Sequence, residues 1–73
     1  MKEYHINLFW SEEDGCWVAD IPDLKHCSAL GDTPEEAVRE VRLVQEAWIE
    51  AARSAGDPVP KPRYRPIIYQ VAR

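Results

Sequence analysis

The segment Gly31-Asp32-Thr33-Pro34-Glu35-Glu36-Ala37 constrains this chain most, because it spells out the start of a helix. Thr33 has N-cap chemistry, Pro34 suits the first helical position, where an N–H has no partner anyway, and Glu36 stands where a capping box needs it. Glu35 and Glu36 also complement the positive end of the helix dipole. Downstream, Gly56 is suited to a left-handed terminator and Pro58 forbids continuation. These signals predict a helix from 34 to 54 or 55 in a chain of 73 residues. At 100° per residue, Ala37, Val41, Val44, Trp48 and Ala55 form one stripe, with Val38, Gln45 and Ala52 at its margin. Glu35, Arg39, Arg42, Glu46 and Arg53 lie opposite. Such a helix is laid on a sheet. Leu43 lies off the stripe, near Ala47 and Glu50, and is expected to be exposed.

The residues before the helix supply that sheet. Residues 4–10 alternate, with Tyr4, Ile6, Leu8 and Trp10 on one face and His5, Asn7 and Phe9 on the other. Period two with β-forming residues predicts a strand. Ser11-Glu12-Glu13-Asp14-Gly15 is a polar turn, and residues 16–21 predict a second strand. Pairing Trp10, Leu8 and Ile6 with Trp17, Ala19 and Ile21 keeps the apolar residues together, whereas a one-residue slip would set Asp20 opposite Ile6. Pro22-Asp23-Leu24-Lys25 turns the chain into a short third strand over 26–30. Pro58-Val59-Pro60-Lys61-Pro62 is a stiff, extended connector, and residues 67–71 (Ile67-Ile68-Tyr69-Gln70-Val71) are β-prone. The expected fold is α+β: one two-layer β-β-β-α-β domain over residues 1–73. Its antiparallel sheet has three or four strands, with one helix packed on one face.

A domain this small hides only about 60% of its unfolded surface, so it needs a stabiliser. Two cysteines cannot make a disulfide framework. No apolar run spans a membrane, and the start lacks a signal-peptide core, so a reducing cytoplasm is expected. Self-association, as a dimer or tetramer, remains. Charge is unevenly spread: residues 1–60 hold thirteen acids against five bases, a balance of −8, while Lys61, Arg63, Arg65 and Arg73 give the last thirteen residues +4. The acidic body disfavours nucleic acid and suits a basic protein partner.

The chain offers little chemistry. Cys16, Cys27, His5 and His26 lack metal-ligand spacing, and neighbouring strand residues His26 and Cys27 point to opposite faces. Asp14, Asp23, Asp32 and Asp57 sit where turns and helix starts use Asp, and three glycines are too few for a phosphate loop. No enzyme, metal or cofactor is expected. What survives is surface: Phe9, Val18 and Leu30 on the second sheet face, Leu43 on the helix, and the terminal Ile67, Ile68 and Tyr69 as candidate protein-interface residues.

In this order the residues resemble the HicB-like antitoxin family: a hairpin ending in Pro22-Asp23-Leu24, then Cys27, then Gly31-Asp32-Thr33-Pro34-Glu35-Glu36-Ala37, then Gly56 and the Pro58/Pro60/Pro62 run. The likeness covers residues 4 to about 62. It implies a partial RNase H-like β-β-β-α-β unit without nuclease carboxylates, self-association, and neutralisation by direct binding of a small, basic, mRNA-cleaving HicA-like toxin. Two departures bear on this. The family commonly has Gly before the cysteine where this chain has His26, so the turn after Leu24 is expected to differ. Many members add a C-terminal DNA-binding domain, whereas this chain runs only eleven residues past Pro62, so operator binding is not expected. The competing expectation is a stand-alone homo-oligomeric interaction module.

Overall fold

The computed structural model describes residues 3–67. Three strands, β1 (Asn7–Ser11), β2 (Cys16–Asp20) and β3 (Ser28–Gly31), precede one helix, α1 (Pro34–Ala55). The sheet is antiparallel in the order β1-β2-β3, and α1 packs on one face, so the fold is α+β. The hairpin has the expected register: Trp10 faces Trp17, and Leu8 faces Ala19. Its turn is closed by the Gly15 amide donating to the Ser11 carbonyl at 2.8 Å, with Gly15 at φ = 64°. Each strand is shorter than its apolar pattern. Tyr4 and Ile6 precede β1, Ile21 follows β2, and β3 begins two residues after His26.

The helix has the bounds its capping signals foretell. The Glu36 amide donates to Thr33 Oγ1 at 3.1 Å, and Gly56 ends the helix at φ = 77°. The Gly56 and Asp57 amides donate to the carbonyls of Arg53 and Ala52, closing a Schellman motif. The return half of the capping box is displaced: the Glu36 carboxylate accepts from the Asp32 amide at 3.2 Å.

Twenty-two helical residues span about 33 Å, whereas strands of four or five residues cover only about 13–17 Å. The second half of α1 therefore overshoots the sheet and needs another floor. The segment between β2 and β3 provides it. Amides of Ile21, Leu24 and Cys27 donate to carbonyls of Cys27, Ile21 and Leu24, folding the segment so that all three side chains are buried. Trp48 Nε1–H donates to the Lys25 carbonyl at 2.9 Å. The core comprises Tyr4, Ala19, Ile21, Leu24, Cys27, Ala37 and Val41, flanked by Trp17, Trp48 and Ile49 among others. Ala55, expected on the buried stripe, is exposed because the helix end has run beyond both floors; Ala52 is buried instead.

Candidate interaction surface

The register sets Phe9 opposite Val18 and Val18 opposite Leu30, so these three residues form a row across the sheet. Side chains alternate along a strand. The row therefore lies on the face opposite Ala19 and Ala29, the face α1 leaves uncovered. Phe9 is 49% and Leu30 55% exposed, with Val18 half-buried between them. Polar neighbours on that face are Asn7, Asp20 and Ser28. Phe9, Val18 and Leu30 are thus one contiguous strip.

The other candidate residues do not join it. Leu43 is 55% exposed as expected, but it stands on the helix, in the layer behind the sheet. Ile67 is 75% exposed and stands apart from the row. Ile68 and Tyr69, with the rest of the expected terminal strand, lie outside the described residues.

Leu8 and Trp10 share the apolar face of the first strand with Tyr4 and Ile6 and point toward the helix side, yet they are 40% and 47% exposed. A helix is about 10 Å wide and strands lie about 4.8 Å apart, so one helix covers roughly two strands. Here α1 lies mainly over β3 and β2 and touches β1 least. That width argument could have been made from the sequence. Trp10 rests edge-on against Trp17, ring centres 5.8 Å apart. Leu8, Pro34, Glu35, Val38, Arg39 and Arg42 line an open groove of about 500 Å³ between β1 and the first half of α1.

At the opposite end of β1 the connector folds back on the body. Tyr4 donates its hydroxyl hydrogen to the Pro60 carbonyl. The Asp23 carboxylate accepts from the amides of Arg63 (3.0 Å) and Tyr64 (3.1 Å), and the Tyr64 ring packs against His5 at 4.8 Å. Asp23 thus has a structural task beyond its turn. His5 Nε2 and Asn7 Oδ1 share a hydrogen bond of 2.7 Å.

Reactive chemistry finds little footing on these elements. Cys16 and Cys27 are buried free thiols. Burial, and secondly the Asp20 charge, push the Cys27 thiol above its ordinary value, away from the thiolate a nucleophile or metal ligand requires. Burial, then Asp23, likewise raises the Tyr4 phenol. Among the described residues no three His, Cys, Asp or Glu side chains converge as metal ligands. Among the same residues no helix is long and apolar enough to cross a membrane.

Comparison with known proteins places the chain in a family. It is 38% identical over 57 residues to UPF0150 protein ssl0259 of Synechocystis sp., covering 78% of this chain and 77% of that protein. UPF0150 protein ssr1765 of the same organism is 41% identical over 54 residues, covering 74% and 68%. UPF0150 protein Ta0767 of Thermoplasma acidophilum is 28% identical over 54 residues, covering 74% and 78%. No family model and no solved structure matches the chain. Relatives this similar, matched along most of both chains, mean that the chain belongs to the UPF0150 family.

Proposed function

We propose that this chain is a HicB-like antitoxin domain, a partial RNase H-like unit. It acts in the cytoplasm without catalysis or cofactor and neutralises a small, basic, mRNA-cleaving toxin by binding it directly. The observation that carries this reading is the uncovered row Phe9, Val18, Leu30, set beside Asp20 on a body whose first sixty residues have a balance of −8. An apolar strip beside Asp20 on an acidic body fits a basic protein: the strip contributes desolvation, and the charge steers encounter. The family resemblance of the hairpin, Cys27 and the capped helix supplies the identity of that partner. DNA is not proposed as a ligand.

The test is co-purification with the product of the adjacent gene, followed by titration calorimetry. Binding to a small basic RNase, weakened about tenfold or more by Leu30→Glu and by raised salt, is the expected result. A neighbour that is not such a protein, or two proteins that do not associate, would sink the proposal.

A further inference from the structure

Among the described residues the three strands carry a single charged side chain, Asp20, and it stands on β2, the strand paired on both sides. The register sets Asn7 opposite it on β1 and Ser28 opposite it on β3. A carboxylate, a carboxamide and a hydroxyl therefore stand in one row, neighbouring strands about 4.8 Å apart. Side chains two residues apart share a face, so this polar row runs beside the apolar row Phe9, Val18 and Leu30, about 7 Å along the strands. Asp20 and Asn7 are half-buried there. The bond of 2.7 Å between His5 Nε2 and Asn7 Oδ1 holds the Asn7 oxygen in place and leaves it a second lone pair.

An apolar row flanked by an acceptor-rich row fits a side chain with an apolar stem and a cationic head. Lysine and arginine both lay their methylenes on apolar surface and keep the head in polar surroundings. The head decides between them. Asp20 offers two oxygens, and Asn7 and Ser28 one each, spread along a line. Acceptors so arranged suit a planar guanidinium with five donors better than a compact ammonium. We propose that this face takes one arginine of a protein partner, its stem lying across Val18 and its guanidinium on Asp20, between Asn7 and Ser28. This rests on the antitoxin reading and adds which side chain the basic partner presents. On an open surface such an ion pair contributes little. A partner seated on the adjoining apolar row excludes water from it, and a desolvated charge pair discriminates sharply when one member is removed. Asp20 is then the specificity-determining residue, while the other acids of the body steer encounter.

Calorimetric titration of the adjacent gene's product against the full chain, Asp20→Asn and Glu50→Gln tests it. Both variants remove one negative charge, and Glu50 is exposed on α1, away from the row. Asp20→Asn should weaken binding about thirtyfold or more, and Glu50→Gln about twofold or less. Replacing the partner's arginines by lysine, one at a time, should find one that weakens binding to the native chain about tenfold or more. The same replacement should change binding to Asp20→Asn by less than about threefold. Circular dichroism and a cooperative melt show whether Asp20→Asn is folded. If it is not, the cycle is read with Ser28→Ala, whose side chain is exposed. Native binding that Asp20→Asn and Glu50→Gln weaken alike, or that shows no arginine coupled to the row, overturns the arginine assignment and leaves the antitoxin reading standing. A native chain that binds no basic partner overturns both.

Discussion

His26 has φ = 62°, the left-handed conformation that side chains with a Cβ adopt at a cost of about 1–2 kcal/mol. It stands where HicB-like chains commonly carry Gly, and it keeps the left-handed turn that lets the Cys27 amide reach the Leu24 carbonyl at 3.1 Å. Glycine loses more entropy on folding, by roughly 0.5–1 kcal/mol, so His26→Gly should be stabilising by up to about 1 kcal/mol. Urea titration checks this, and a lower midpoint would mean that the imidazole makes a contact worth more than the strain. Gly31 answers to a different constraint. A Cβ there would stand 2.4 Å from the Ala37 amide nitrogen and 2.8 Å from Glu36 Cβ, where β3 meets the helix start. Gly31→Ala should therefore cost about 1–3 kcal/mol in the same measurement, since backbone must move. Cys27 makes stability sensitive to base. Its thiol is raised above 9.0 in the fold, so the unfolded chain releases its proton first and alkali favours unfolding. Its contribution is whole below pH 9.0 and is lost as pH rises through the raised folded value; Tyr4 extends the loss above 10.0. Urea midpoints from about pH 8 to about pH 10 should fall, and Cys27→Ala should flatten the fall between the thiol's two values.

At the scale of elements, local chemistry and tertiary demand divide the work differently in the helix and in the segments around it. The helix is written locally: Thr33, Pro34 and Gly56 set its ends, and both ends stand where those residues put them. Glu36 departs because its carboxylate reaches past the cap to the Asp32 amide, a choice between two nearby donors that residue spacing cannot make. The segment between β2 and β3 reads as a turn, yet Leu24 is 1% exposed within it. Its burial follows from the long helix needing a floor where the sheet stops. The connector is likewise extended by its prolines but placed by Asp23, 40 residues away in sequence from Arg63. Asp23→Ala should free this segment, costing about 1–2 kcal/mol and speeding tryptic cleavage after Arg63. Unchanged cleavage kinetics would show that the Tyr4–Pro60 bond and the Tyr64–His5 contact suffice without it.

At the scale of the whole fold, one helix over three strands leaves, among the described residues, an apolar row on one face and Leu8 and Trp10 partly open on the other. By itself the sequence determined the helix and its bounds, the hairpin and its register, and the face carrying Phe9, Val18 and Leu30. Those features rest on interactions within a few residues, or on a period-two pattern that a slip would invert. Only the tertiary structure decided what lies over what: that α1 favours β3 and β2, that Leu8 and Trp10 stay open while Leu24 and Ile49 pack, and that Leu43 belongs to another surface. Alternation shows which side of a strand is apolar. How much of that side is covered depends on the width and length of the element laid upon it, and those are compared only once the elements meet.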